Sequence, residues 1–300
     1  MTGQQSMPAV DVRAPAKINL GLEILGKRKD GYHEIRSVLA MIDLNDDLRV
    51  QRGAQRYGTS SVEGVPADLN LIDRAIQLFQ ARSITDARFS YQVTKRIPIA
   101  AGLGGASSDA AAVLSSVNHL LGHPLTHDQL SELAATLGSD VPFFLGDPVA
   151  FVEGTGTRIT PVPAISSAVL LIVPNIAIPR KTATLYGLIT TDDLSPGTRI
   201  DRTLRHLRAG LPPDQADLHN AFAAPLYTLV PSLAAVPAAL RDSGCVRFGL
   251  SGAGPAHYAL LCDSDVDIVE KRIRTALDPC LFGVARTSLL LRRPCLTPIS

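Results

Sequence analysis

The chain has 300 residues, of which 46% are hydrophobic, and its formal net charge at pH 7 is +1. This length and apolar content allow a substantial buried core in one large domain or two ordinary ones. The balanced charge argues against nucleic acid or an anionic membrane surface as a partner.

The cysteines and the N-terminal residues provide information on the cellular compartment of the protein. The four cysteines lie in the last fifth of the chain without CxxC spacing, so we predict neither a zinc site nor a disulfide framework. Residues 1–10 lack a cationic segment followed by an apolar one, which predicts no signal peptide. The longest apolar runs are too short to span a bilayer. We therefore expect a cytoplasmic protein.

The first predicted strand, residues 10–25, carries two polar side chains in an apolar context. Lys17 and Asn19 are two residues apart, so a regular strand points them to the same face. Pro15 predicts an edge position or a bulge. Taken alone, this pair favours solvent-facing positions over a cationic floor of a binding site, and both interpretations stay open.

The segment after this strand combines a turn with aromatic and acidic residues. Tyr32 and His33 follow a Gly turn, and such rings can stack on a flat base and hydrogen-bond to its edge. The alternative is a turn with two half-exposed rings. Asp43, Asp46 and Asp47 are interpreted as turn and capping residues before a short strand at 48–51.

A glycine-rich loop occupies residues 98–111, Pro-Ile-Ala-Ala-Gly-Leu-Gly-Gly-Ala-Ser-Ser-Asp-Ala-Ala, between a predicted strand (87–97) and a predicted helix (106–121). Glycines allow a tight turn and close backbone approach, and the first N–H groups of a helix lack internal acceptors. This combination predicts a phosphate-binding loop, and the alternative is a turn capped by Ser and Asp. The loop lacks the Gly-Lys-Ser/Thr ending of a Walker A motif, the full dinucleotide fingerprint and the protein-kinase motifs.

Other elements follow from local patterns. Asn70 and Thr126 are candidate N-caps of helices. Asp140 precedes a strongly apolar stretch, where it is either a cap or a partly desolvated base. A Pro- and Ser-rich linker near 161–167 divides the chain into predicted domains 1–164 and 165–300. Further helices are predicted at 70–82, 128–137, 182–189, 199–211, 225–243 and 264–277. Strands are predicted at 149–153, 158–162, 168–174, 245–250 and 256–262, and a final strand at 286–291. A surface loop or hairpin is predicted at 55–67.

Five motifs in order give the chain a resemblance to the GHMP small-molecule kinases. They span residues 14–255, and any one of them alone would be a weak signal. They are Pro15-Ala-Lys17-Ile-Asn19-Leu20, Asp30-Gly-Tyr32-His33-Glu34, the loop 98–111, Ser139-Asp140-Val-Pro-Phe-Phe144 and Ser251-Gly-Ala-Gly-Pro255.

The resemblance implies an α+β fold of two domains, an N-terminal ribosomal-S5-like nucleotide-binding domain and a C-terminal ferredoxin-like domain. The active site would lie in the cleft between them. ATP would be the phosphate donor, with Mg²⁺, and the closest motif matches are to members that phosphorylate the 2-hydroxyl of diphosphocytidyl methylerythritol. This small molecule would be the partner; no nucleic acid, membrane or protein metal ligand is implied, and we expect a monomer or weak homodimer.

The resemblance also implies residue roles. Asp140 would be the catalytic base, with Lys17 beside it. Tyr32 and Tyr186 would sandwich the cytosine while His33 reads its polar edge. The ATP phosphate loop would comprise Pro98, Ala101, Gly102, Leu103, Gly104, Gly105, Ala106, Ser107 and Ser108. The substrate-binding residues would be Asn19, Tyr32, His33, Thr182, Tyr186, Gly252 and Gly254.

The chain departs from the family pattern at three small residues. Ala106 stands where a further glycine is usual, and Ala253 and Ala256 stand where small polar residues are common. Two alternatives remain open: another GHMP kinase acting on homoserine, mevalonate or a sugar, and a nucleotide sensor without catalysis. The presence of Lys17 and Asp140 argues against the sensor.

Overall fold

The computed structural model describes residues 8–53 and 70–299, so the loop predicted at 55–67 lies outside the described residues. The helices are α1 (Leu71–Ser83), α2 (Gly105–Leu120), α3 (His127–Leu137), α4 (Lys181–Leu188), α5 (Thr198–Arg208), α6 (Ala223–Leu229), α7 (Ala235–Asp242) and α8 (Val266–Ala276). The strands are β1 (Ala9–Lys27), β2 (His33–Arg52), β3 (Phe89–Thr94), β4 (Val149–Gly154), β5 (Arg158–Pro161), β6 (Ala168–Pro174), β7 (Phe248–Leu250), β8 (His257–Leu261), β9 (Phe282–Ser288) and β10 (Thr297–Ile299).

Two antiparallel sheets form the scaffold, as expected for an α+β fold. The first has the order β10-β1-β2-β4-β5, and β3 pairs with β2 as well. The second has the order β7-β8-β6-β9. Helices α1, α2 and α3 pack on one face of the first sheet, and the second sheet with α5 packs on its other face. Helices α7 and α8 cover the remaining face of the second sheet.

An irregularity in the pairing of β1 with β2 determines which side chains of β1 reach each layer. Val10, Val12 and Ala14 pack against the helices, whereas Ile18 and Leu20 pack toward the second sheet, although all five have even numbers. The register shifts between Pro15 and Ala16, where Pro15 predicted an edge position or a bulge, but the extra residues lie in β2 and not in β1. Pairing passes from Pro15–Asn45 to Ala16–Ile42, a shift of two residues that leaves Asp43 and Leu44 of β2 without partners on β1. Beyond this shift the odd-numbered residues of β1 turn toward the helices, and Lys17 lies against Gly104 at the start of α2.

Three sequence-based predictions need correction. The solvent-facing interpretation of Lys17 and Asn19 is wrong, because they are 4% and 3% exposed. The short strand at 48–51 is instead the end of the 20-residue β2, and Asp46 is fully buried within it because the N–H groups of Arg96 and Ile97 satisfy its carboxylate. The strand predicted at 286–291 corresponds to β9 and is not the final one.

Strand β10 follows β9 and pairs with β1, back in the first sheet. It has only three residues, one of them Pro298, which is too short a run to show the alternation by which strands are recognised. Most other predicted elements match within a few residues, and the N-caps at Asn70 and Thr126 are confirmed. In the described ranges, no helix combines the length and apolar character that crossing a bilayer requires.

Tyr258 on β8 ties the second sheet to the strand that carries Lys17. Its side chain is fully buried, and its hydroxyl donates a hydrogen bond of 2.7 Å to the Asn19 carbonyl. Tyr258→Phe should therefore lower the free energy of unfolding by about 1–2 kcal/mol, since a buried acceptor loses its donor. Chemical denaturation measures this loss. The matched control is Tyr32→Phe, at a side chain that is 67% exposed; equal effects of the two substitutions would contradict the role of the Tyr258 hydroxyl.

Candidate active site

A cleft of about 790 Å³ opens between the helical side of the first sheet and the elements that follow β6. Of the polar side chains that line it, Lys17, Asn19, Ser107, Ser139 and Asp140 belong to the five motifs. Those predicted site residues that line it are Lys17, Asn19, Gly102, Gly104, Ser107, Asp140, Thr182, Tyr186 and Gly252. Chain segments far apart in sequence thus converge on one cavity of a size suited to small-molecule ligands.

Lys17 and Asp140 form an ion pair on one wall of the cleft. The Lys17 ammonium lies 3.5 Å from a carboxylate oxygen of Asp140 and donates a 2.7 Å hydrogen bond to the Asn19 amide oxygen. Lys17 is buried, whereas the Asp140 side chain is 39% exposed and open to the cavity. The Asp140 carboxylate is therefore accessible to a ligand in the cleft, while the Lys17 ammonium beside it is held from the protein side.

Asn19 is held by a network that fixes its orientation. Its amide oxygen also accepts the N–H of Gly252 at 2.8 Å, and its amide nitrogen donates to the Ser37 hydroxyl at 2.8 Å. Ser37 in turn donates to the Gly21 carbonyl at 2.7 Å. Asn19 therefore positions Lys17 and links β1 to the turn around Gly252.

The glycine loop ends in the exposed first turn of α2. Gly104 is the N-cap with φ +75°, and no side chain caps the helix there. The N–H groups of this first turn are therefore available to an anion. Of the two loop serines, Ser107 lines the cleft. Ser108 is 1% exposed and, among the described residues, its hydroxyl has no hydrogen-bond partner, so its contact with the triphosphate stays a prediction.

The loop is anchored on both sides by backbone hydrogen bonds. The Lys17 N–H donates to the Leu103 carbonyl at 2.9 Å, and the Ala256 N–H donates to the Ala101 carbonyl at 3.0 Å. The Ser251 hydroxyl donates to the Gly102 carbonyl at 2.9 Å. The loop thus bridges β1 and the Ser251–Pro255 turn.

A second cavity of about 220 Å³ adjoins the outer side of the loop, and Lys95 lies in its wall. Lys95 contacts Asp46 and donates to Asp109 of α2 at 2.6 Å. Burial, opposed by Lys95, raises the pKa of Asp109 to about 7. Sequence reasoning missed this cluster, because no local pattern links three charges so far apart along the chain.

The aromatic residues are arranged differently from the predicted cytosine sandwich. The His33 ring stacks on Tyr186, with centroids 4.8 Å apart and planes 16° apart. Phe222 packs edge-on against Tyr186, with centroids 4.8 Å apart, and was not predicted. Tyr32 is 67% exposed and does not line the cleft. His33, not Tyr32, therefore faces the Tyr186 ring.

Helix α4 begins at a lysine that sequence analysis did not single out. The Lys181 ammonium donates to the carbonyls of Ala100 and Gly254, joining the start of the glycine loop to the late glycine turn. Gly254 does not line the cleft; it lies beneath the loop, where a Cβ atom at Gly102 would stand 2.8 Å from its carbonyl oxygen. Lys181 itself lines the cleft.

Comparison with known proteins agrees with this geometry. The "GHMP kinases N terminal domain" family matches residues 70–147, which include the glycine loop and Asp140. A 4-diphosphocytidyl-2-C-methyl-D-erythritol kinase of Dehalococcoides mccartyi is 37% identical over 84% of this chain and 89% of its own length. One of Xanthomonas euvesicatoria is 38% identical over 80% of this chain and 79% of its own length.

The chain belongs to the 4-diphosphocytidyl-2-C-methyl-D-erythritol kinase family. A crystal structure of 4-(cytidine 5'-diphospho)-2C-methyl-D-erythritol kinase superposes with a TM-score of 0.79 at 30% identity, covering 93% of this chain and 98% of the other. A homoserine kinase from Cytophaga hutchinsonii, at 15% identity and a TM-score of 0.76 over all of both chains, shares the fold. This chain is therefore a small-molecule kinase with the two-domain GHMP architecture.

Close backbone packing at Gly102 gives this kinase a testable constraint. Gly102 has φ +85°, and a Cβ atom there would stand 2.3 Å from the Ser251 carbonyl oxygen. Gly102→Ala should therefore lower the free energy of unfolding by about 2 kcal/mol or more, through strain and displacement of the loop. Denaturant titration of the purified variant measures the change.

The matched control is Gly146→Ala, where φ is −101° and the nearest atom to the new Cβ would be 3.6 Å away. We expect this control to change the free energy of unfolding by no more than about 0.5 kcal/mol. A Gly102→Ala variant as stable as the control would show that the loop tolerates a side chain at this contact.

Proposed function

We propose that this kinase transfers the γ-phosphate of ATP to the 2-hydroxyl of 4-diphosphocytidyl-2-C-methyl-D-erythritol, giving the 2-phosphate and ADP. The reaction belongs to the non-mevalonate route to isopentenyl diphosphate. The observation that carries the proposal is the Lys17–Asp140 pair, 3.5 Å apart, facing the uncapped first turn of α2 across one cleft. The names of relatives more than one third identical support the choice of substrate.

Asp140 is the base in this proposal. Its carboxylate accepts the proton of the attacking hydroxyl, and Lys17, which forms an ion pair with that carboxylate, orients the hydroxyl. Because phosphoryl transfer depends mainly on positioning and on stabilising charge, one base and a set of fixed cationic and N–H groups suffice.

The nucleotide binds along the glycine loop. The N–H groups at the start of α2 and the Ser107 hydroxyl receive phosphate oxygens. The adjoining 220 Å³ cavity, which Leu71 and Ile97 line with Lys95, accepts the nucleoside. The loop residues from Pro98 to Ser107 all line the 220 Å³ cavity. Ala100, Gly102, Gly104 and Ser107 also line the cleft, so the loop separates the two cavities.

Mg²⁺ accompanies the nucleotide. Among residues 8–53 and 70–299, Asp140 is the one carboxylate that lines the cleft. The group of three possible ligands found in the same residues, His206, Asp214 and Asp217, does not line it. This donor set fits a Mg²⁺ ion held largely by phosphates and water, with Ser107 as a protein oxygen nearby. Bound there, the ion would neutralise phosphate charge.

The acceptor binds on the far side of Lys17. The cytosine inserts between His33 and Tyr186, which separate to admit it, and Phe222 supports the Tyr186 ring. Thr182 and Asn19 bind polar groups of the acceptor. We also propose that residues 1–164 and 165–300 act as the two domains, in a cytoplasmic enzyme that is a monomer or weak homodimer.

A coupled ADP-release assay with Mg-ATP tests the reaction. Diphosphocytidyl methylerythritol, homoserine, mevalonate and galactose are offered in parallel, and turnover with the cytidyl compound alone is expected. Turnover with another acceptor would overturn the substrate assignment while leaving the phosphate loop intact. Nucleotide binding without any turnover would favour a sensor.

Asp140→Asn tests the base. Removing a general base should lower kcat by about 10²- to 10⁴-fold, because the amide cannot accept the hydroxyl proton. Nucleotide affinity, measured by calorimetry, should stay nearly unchanged. The control is Asp147→Asn, an exposed carboxylate on the same segment outside the cleft, which should retain full turnover. Wild-type turnover by Asp140→Asn would remove Asp140 from this role.

A further inference from the structure

Lys181 is a cation of the cleft that the mechanism above does not use. It is half-buried at the first turn of α4, and its ammonium donates to two backbone carbonyls, those of Ala100 and Gly254. Ala100 lies just before the glycine loop, and Gly254 lies in the late glycine turn. The ammonium therefore sits at the junction of the two backbone segments that border the phosphate site.

No carboxylate balances this charge. Within residues 8–53 and 70–299, Lys181 takes part in no ion pair, and the charged neighbour that acts on it is another cation, Lys17. Burial, followed by repulsion from Lys17, lowers the pKa of Lys181 to about 8. The ammonium is thus held by neutral acceptors that are weaker than an anionic oxygen.

The cleft as a whole has the same imbalance. In the part of the chain that the structure describes, its lining includes three cationic side chains, Lys17, Arg180 and Lys181, against the single carboxylate of Asp140. Burying like charges together is unfavourable unless an anion joins them. Both ligands of the proposed reaction, a triphosphate and a diphosphate ester, are polyanions that would restore the balance.

We propose that Lys181 is a second phosphate-binding cation of the transfer site, which exchanges its two carbonyl acceptors for phosphate oxygens when a ligand binds. The inference rests on the proposed function. The triphosphate of the nucleotide is the favoured source of these oxygens, because Ala100 leads directly into the glycine loop. The diphosphate of the acceptor offers the same chemistry from the other side of Lys17.

Two variants distinguish the charge of Lys181 from its hydrogen bonds to the two backbone carbonyls. Lys181→Gln keeps N–H donors for the carbonyls and removes the charge, whereas Lys181→Arg keeps the charge. Lys271→Gln, at an exposed position on α8 far from the cleft lining, is the matched control. Thermal melting of each variant reports whether the fold is retained.

Calorimetric affinities for ligands that differ only in their phosphates then test the contact. We expect Lys181→Gln to weaken binding of a non-hydrolysable ATP analogue by about 10- to 100-fold, the range for a charged hydrogen bond, with little effect on AMP. Lys181→Arg should retain most of the affinity, and the control all of it. If the acceptor diphosphate is the source, the loss appears with CDP relative to CMP, which also supports the proposal.

Two results would overturn it. Equal weakening of all four nucleotides would indicate that Lys181 serves only to hold the two backbone segments together. Unchanged affinity for all four would show that it contacts no phosphate, while leaving the proposed function intact. If the wild-type protein binds neither adenine nor cytidine nucleotides, the proposed function fails first and this inference fails with it.

Discussion

The register shift between Pro15 and Ala16 is the constraint on which the site depends. Before it, the even-numbered side chains of β1 face the helices; after it, they face the second sheet. The change of face brings Lys17 and Asn19 to the helical side, beneath the first turn of α2. A regular strand would bury the ammonium of Lys17 between the two sheets, where Ile18 and Leu20 now pack and no anion could reach it.

Backbone contacts then hold the phosphate loop where Lys17 needs it. Gly102 packs directly on the carbonyls of Ser251 and Gly254, so the loop and the late glycine turn meet without intervening side chains. Hydrogen bonds from Lys17 and Ala256 fix the loop from either side. Such anchoring keeps the N–H groups of α2 aimed into the cleft before a ligand arrives, which is the preorganisation that electrostatic stabilisation requires.

Charge distribution gives the cleft its chemical character. The acidic residues under the loop, Asp46 and Asp109, are occupied by Lys95, while Lys17 and Lys181 remain turned toward the cavity. Phosphate-bearing ligands therefore meet an excess of positive charge in a partly desolvated space, where attraction is stronger than at the surface. The protein-wide charge of +1 hides this local excess, because oppositely charged groups elsewhere cancel it.

The sequence by itself determined what depends on neighbouring residues. These features are the glycine loop, the helix caps at Asn70 and Thr126, an irregularity of the first strand at Pro15, and the family, which the order of the motifs indicates. Tertiary structure decided which distant groups meet. The 3.5 Å contact of Lys17 with Asp140 and the ring stack of His33 on Tyr186 join segments more than a hundred residues apart, and Lys181 contacts carbonyls more than seventy residues away on either side. Local periodicity indicates which residues are buried and where turns occur. It does not indicate which distant residues are in contact, because those contacts depend on how the whole chain packs.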